Sequence, residues 1–176
     1  MVGARFDQHN LAGGQFSPRA HFKYALTPQL DARLTAGRAC RLPNFVVDNL
    51  SLLASSKTWL APQALQPEVS WNVGASLVQG FIFKKRKGSL SLDAYHTRFS
   101  QQLVADRDTL SGAVVFKNLQ DNSLATVIQA EFSYAVLKGL DLRLAYKFQD
   151  VRALFDGTLQ TQVLLPRQRL FANMAY

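Results

Sequence analysis

Apolar and polar residues alternate along most of this chain, in runs of about ten residues. Arg19, His21 and Lys23 alternate with Ala20, Phe22, Tyr24 and Leu26. After a Thr27-Pro28-Gln29 turn, Asp31, Arg33 and Thr35 alternate with Leu30, Ala32, Leu34 and Ala36. Successive side chains on a strand point to opposite faces, so each of these strands carries one apolar and one charged face. The pattern returns in Trp71, Val73, Ala75, Leu77, Phe81 and Phe83, interrupted only by Gln79. It returns again where Leu90, Leu92 and Ala94 oppose Ser91, Asp93, Tyr95 and Thr97, and where Ile128, Ala130, Phe132 and Tyr134 oppose Gln129, Glu131 and Ser133. The clearest case sets Leu140, Leu142, Leu144, Tyr146 and Phe148 against Asp141, Arg143, Lys147 and Gln149. Val2 to His9 alternates too, as do Leu170, Ala172, Met174 and Tyr176.

Tight turns at 27–29, 84–88 and 137–139 alternate with longer connections at 10–17, 41–69, 106–125 and 153–168. Within the longest, Val46 to Ala54 is expected to add a helical turn or two, and Ala113 to Asn118 reads as a short strand or a structured part of its loop. Short turns at one rim and long loops at the other are how transmembrane barrels are built, with the apolar face toward lipid and a polar lumen. The fold expectation is therefore all-β, an antiparallel transmembrane β-barrel arrangement of about eight strands. Tyr24, Phe81, Phe83, Tyr146 and Phe148 fall near predicted strand ends, where interfacial aromatics sit. A soluble lipocalin-like binding module, with the apolar face turned inward, is the opposite reading of the same alternation.

Composition narrows this picture only a little. The 176 residues carry a formal charge of +8, scattered along strand faces apart from Lys84 to Lys87. No recognition-helix pattern or aromatic ribonucleoprotein motif accompanies the charge, so no nucleic-acid partner is expected. That basic run suits lipid phosphate at a rim, and equally a solvated turn that discourages edge pairing. No run approaches the ~18 apolar residues of a membrane helix, and a barrel needs none. Met1-Val2-Gly3-Ala4 leads into Arg5-Phe6-Asp7 without the apolar segment of a secretory signal, which suits a soluble protein or a piece of a longer exported one.

Little in the chain suggests catalysis. His9, His21 and His96 lack a metal-ligand spacing, Cys40 is the lone cysteine, and no Gly-x-Ser-x-Gly elbow is present. Gly13-Gly14 lacks the lysine and strand–loop–helix setting of a phosphate loop. No enzyme activity, metal or cofactor is expected. The candidate chemistry gathers instead on the connection at about 41–69, because long loops in compact domains are usually functional. Arg38 and Arg41 at its start suit bidentate contact with an anionic solute, or pairing with Glu68 or Asp48 to hold the loop base. Trp59, read as an exposed loop indole, is the aromatic candidate for ligand contact.

Several segments carry a family resemblance. Phe16-Ser17-Pro18-Arg19, Thr35-Ala36-Gly37-Arg38, Arg41-Leu42-Pro43-Asn44, Leu65-Gln66-Pro67-Glu68 and Trp71-Asn72, in that order, resemble the barrel of TonB-dependent outer-membrane receptors. Ser91-Leu92-Asp93-Ala94-Tyr95 and Lys138-Gly139-Leu140-Asp141-Leu142 are similar to strands of the same family, while Ala39-Cys40 stands where Gly-Phe is usual. The resemblance spans most of the chain and implies that residues 1–176 are a partial barrel, belonging to a larger one, with the 41–69 loop outside the cell. It implies that Pro43, Asn44, Pro67 and Glu68 form the loop base. It also implies a Gram-negative outer membrane, lipid around the wall, and a captured and imported solute such as an iron chelate, vitamin, metal or oligosaccharide. Coupling to the TonB complex would run through a plug domain that this chain does not show. A complete small eight-stranded barrel with a structural or adhesive role is the other membrane reading. It requires Ala4 and Phe6 to pair beside Ala172 and Met174.

Overall fold

The computed structural model describes residues 1–10, 12–44, 46–61, 66–106, 110–155, 158–161 and 165–176. Among these residues ten strands form one sheet: β1 (Val2–His9), β2 (Gly13–Thr27), β3 (Leu30–Arg41), β4 (Thr58–Leu60), β5 (Glu68–Phe83), β6 (Arg86–Asp106), β7 (Ala113–Leu137), β8 (Leu140–Phe155), β9 (Thr158–Thr161) and β10 (Gln168–Ala175). The wall runs β1-β2-β3-β5-β6-β7-β8-β10, every neighbouring pair antiparallel. The short β4 and β9 lie off this path, β4 pairing parallel with β7 and β9 pairing antiparallel with β8. Among the described residues β1 pairs only with β2 and β10 only with β8, so the sheet is open. The pairing of Ala4 and Phe6 beside Ala172 and Met174 that a closed small barrel requires is not formed.

Register shows how the alternation is used. Phe22 lies opposite Leu34, Leu34 opposite Ala75, Ala75 opposite Ala94, and Ala94 opposite Ile128. One row nearer the tight turns, Tyr24, Ala32, Leu77, Leu92, Ala130 and Tyr146 line up in the same way. This apolar face has no layer packed on it: Phe22 is 61 % exposed, Leu34 56 % and Leu144 38 %. A water-borne fold would bury those side chains in a dry core. Here the buried hydrophobics among the described residues are Leu52, Ala113, Val114, Phe116 and Ala153, all toward the rim away from the tight turns. The inward-facing lipocalin-like arrangement is thus absent, and the apolar face is the one a lipid bilayer would cover.

The strands run further than alternation alone suggests. Residues 106–125 are mostly strand, because β6 extends to Asp106 and β7 begins at Ala113, so Ala113 to Asn118 is the start of one long strand. The 10–17 connection likewise shrinks, since β2 begins at Gly13, and Leu11 lies outside the described residues. These connections are shorter than expected but still exceed the two-residue turns after Thr27, Phe83 and Leu137, which share the other rim. Tyr146 and Phe148 sit in the middle of β8, since that strand continues to Phe155.

The turn between β5 and β6 is only Lys84-Lys85, with φ of 48° and 62°. Two consecutive left-handed residues match the twist of flanking strands in a two-residue hairpin, a geometry that favours Asn-Gly. Lysine meets a Cβ penalty there. Just inside this turn Phe81 lies across Gly88, where an added Cβ would stand 2.3 Å from the ring. Phe81 also stacks near Phe132 and Tyr134, with centroids 6.0 Å and 6.3 Å away. Glycine is needed at position 88 for that close approach. An aromatic band results on the apolar face beside the tight turns.

Two expectations follow, read by denaturant unfolding of the protein in phosphatidylcholine vesicles. Leu92→Arg, on the apolar face, is expected to cost about 2–4 kcal/mol, while Ser91→Arg on the polar face costs under ~1 kcal/mol. Replacing Lys84-Lys85 by Asn-Gly is expected to stabilise the protein by about 1 kcal/mol, since both residues leave a strained conformation.

Candidate functional site

The longest connection, 42–67, joins β3 to β5 at the rim opposite the tight turns. The chain leaves β3 at Arg41 and re-enters β5 at Glu68, and these two residues face each other across the ladder. Arg41 Nε donates to Glu68 Oε2 at 2.9 Å, and its guanidinium also lies 3.2 Å from Asp48 Oδ2. The other carboxylate oxygen of Glu68 accepts the Leu103 backbone N–H at 3.0 Å. Glu68 therefore ties β3, β5 and β6 together at one point. Exposed ion pairs contribute only a few tenths of a kcal/mol to about 1 kcal/mol, but the Glu68 side chain is only 15 % exposed, and its bonds form a network.

Arg38 is placed differently. Pro18 has no N–H, and the β2–β3 ladder ends at the pair Arg19–Gly37. Arg38 reaches across this gap and donates to the Phe16 carbonyl and, at 3.3 Å, to Gln15 Oε1. It pairs with neither Glu68 nor Asp48. The two arginines do not converge on one anion.

Beyond Arg41, half-buried Pro43 leads to Asn44, whose side-chain oxygen accepts the Val47 N–H at 3.2 Å and whose carbonyl accepts the Asp48 N–H at 2.8 Å. Those bonds start a 3-10 helix, Val47–Ala54, kinked at Asn49. Val47, Leu50 and Leu53 are all exposed, Leu50 and Leu53 one 3-10 turn apart beyond the kink, and together they make an apolar patch on the cap. Period-two alternation could not reveal it; the i, i+3 spacing of three apolar residues is the signal that could.

Leu52, on the other side of the helix, is buried with Val114 and Phe116, and Trp59, Leu103 and Ala105 pack against them. Trp59 lies in β4, which adds a third strand to the β6–β7 hairpin beyond the wall, and its ring centroid is 5.2 Å from that of Phe116. The indole is therefore half-buried, not standing free in solvent, because strand addition draws it onto the hairpin. Pro62 and Leu65 lie outside the described residues. Past them Gln66 and Asn118 bond reciprocally, Gln66 N–H to Asn118 Oδ1 and Asn118 Nδ2 to the Gln66 carbonyl, each at 3.1 Å. Pro67, with no N–H to place, then leads into Glu68.

This connection is thus a packed cap with its own small core, pinned at entry and exit. Among the described residues no group of three or more His, Cys, Asp or Glu is arranged to hold a metal. The geometry suits presentation of a fixed surface above the wall.

Two measurements probe the cap. In a Trp71→Phe variant, whose one remaining indole is Trp59, acrylamide quenching is expected to be several-fold weaker than for free indole, as half-burial on Phe116 requires. Glu68→Ala is expected to speed hydrogen exchange of the Leu103 amide about tenfold, an opening free energy lower by ~1.4 kcal/mol.

Comparison with known proteins adds one finding of weight. A family model described as TonB dependent receptor-like, beta-barrel, matches residues 1–176. A search among curated proteins found no match.

Proposed function

The chain belongs to the TonB-dependent receptor β-barrel family, and we propose on that basis that it supplies wall strands and one capture loop to a receptor that imports a scarce solute. The family is one of outer-membrane transport receptors of Gram-negative bacteria that work with TonB and a substrate. In our reading the 42–67 cap stands outside the cell, lipid covers the face of Phe22, Leu34 and Leu144, and the face of Arg33 and Lys147 lines the lumen. The observation that carries this reading is the open sheet itself: an unburied apolar face, a polar opposite face, and three tight turns at one rim. In hydrocarbon an edge strand needs a partner, so further wall must meet β1 and β10.

Within the cap, Arg41 joins Pro43, Asn44, Pro67 and Glu68 in holding the loop base, and Arg38 stitches β3 to β2. Solute contact falls to the exposed patch of Val47, Leu50 and Leu53 and to the accessible edge of Trp59. The solute is an iron chelate, vitamin, metal or oligosaccharide. Energy delivered through TonB to a plug domain would then release it inward.

The test is uptake by cells that depend on this receptor, with ferric citrate, a ferric hydroxamate, cyanocobalamin and maltodextrins as labelled probes. Uptake of one probe is expected, lost when the proton-motive force is collapsed and reduced at least about tenfold by Val47→Asp with Leu50→Asp. Recovery of the protein from the soluble fraction without detergent, or uptake indifferent to energy, would overturn the proposal.

A further inference from the structure

One cross-strand row on the polar face contains Lys23, Arg33, Asp93, Lys147 and Arg169. Like charges directly opposite each other on neighbouring strands destabilise a sheet, and this row holds two such pairs, Lys23–Arg33 and Lys147–Arg169. The first is relieved within the chain, because Lys23 Nζ lies 3.0 Å from Asp31. The second is not. Among the described residues neither Lys147 nor Arg169 has an acidic partner, and the nearby Glu131 is held by Arg143 at 2.7 Å.

Geometry concentrates this unrelieved charge. Gln149 N–H donates to the Arg167 carbonyl at 2.8 Å. Bonded and non-bonded pairs alternate along an antiparallel ladder, which makes Lys147–Arg169 a bonded pair with Cα atoms ~5.5 Å apart. Both side chains border a cleft of about 360 Å³, shared with Gln129, Glu131, Arg143 and Phe171. Three cations against one carboxylate leave that lining two charges positive. The volume suits one small molecule. A guanidinium fork beside a mobile ammonium is the pairing that grips a single oxyanion from two sides.

We propose that the cleft between β7, β8 and β10 is a lumen-side subsite for a small solute bearing a phosphate or carboxylate group. Arg169 holds the oxyanion through two N–H donors and Lys147 neutralises its remaining charge. The site rests on the reading of the polar face as the lumen, and it places a station for an anion partway along the wall, well below the cap.

The experiment is titration of the whole protein, folded in non-ionic detergent at low ionic strength, with inorganic phosphate followed by phosphorus NMR line width and with citrate followed calorimetrically. Heat-modifiable gel migration of each variant first shows that the barrel strands are folded, so a silent titration of folded protein counts against the subsite and not against the membrane reading. Saturable binding is expected, weakened at least about tenfold by Lys147→Gln with Arg169→Gln, kept within about threefold by Lys147→Arg, and unchanged by Arg33→Gln. Absence of saturable binding in the unsubstituted protein overturns the proposal, as an acid supplied by neighbouring wall would produce. Equal weakening by Arg33→Gln overturns it too, since a diffuse field would then account for binding. A response to tetraglutamate without one to phosphate or citrate also overturns it, and assigns the pair to an acidic polypeptide.

Discussion

Hydrocarbon gives an N–H or C=O group nothing to bond to, and this constraint orders everything else in the chain. The eight wall strands meet it with antiparallel ladders that shift register at only a few points, and tight turns join neighbours at one rim. Where the ladder falters, other groups step in. Pro18 has no N–H to offer, and the Arg38 guanidinium reaches the Phe16 carbonyl instead. Above the wall, where β6 and β7 run on past their ladders with β5 and β8, the loop returns as β4 to pair with β7, and Gln66 and Asn118 exchange two further bonds. Residues that looked like ligand contacts are, in part, answers to backbone demand.

How much of this could be read from the sequence depends on which repeat a segment obeys. Leu140 to Phe148 declares itself, because a strand with lipid on one side and water on the other must alternate. The β2–β3 hairpin is equally plain. The start of β7 is not, because Val114 and Phe116 face a local protein core while Gln120, Asp121 and Asn122 interrupt the pattern with polar residues that resemble a loop. Trp59 escaped for a related reason: its burial depends on Phe116, distant in sequence, and no local pattern encodes a parallel three-residue pairing. The Arg41–Glu68 contact was legible as one of two options, since both residues flank the same loop. Arg38 was not, because its role follows from the missing donor at Pro18 on another strand.

The two faces of the wall answer to different physics. On the apolar side, shape matters more than charge: Gly88 makes room for Phe81, and Phe81, Phe132 and Tyr134 share a band near one rim. On the polar side the same device recurs with another purpose, as Gly74 makes room for the Tyr95 ring, which would stand 2.3 Å from an added Cβ. There, ion pairs such as Lys23–Asp31 and Arg143–Glu131 balance part of a cationic surface. Solvent on the polar face screens what is left, which is why the sheet can tolerate adjacent lysine and arginine that a dry core could not.

Ser100 gives the last consequence. The β5–β6 pairing passes from Ser70–Phe99 to Val69–Gln101, leaving Ser100 as a supernumerary residue that leans back on the Val69 carbonyl. It acts on β6 as a one-letter insertion acts on a reading frame. Up to that point the even-numbered residues Leu90, Leu92 and Ala94 form the greasy side; past it the odd-numbered Leu103 and Ala105 take over, now seated against the cap. A single continuous ribbon thereby serves two surroundings, and the phase change between them costs the chain no more than a serine.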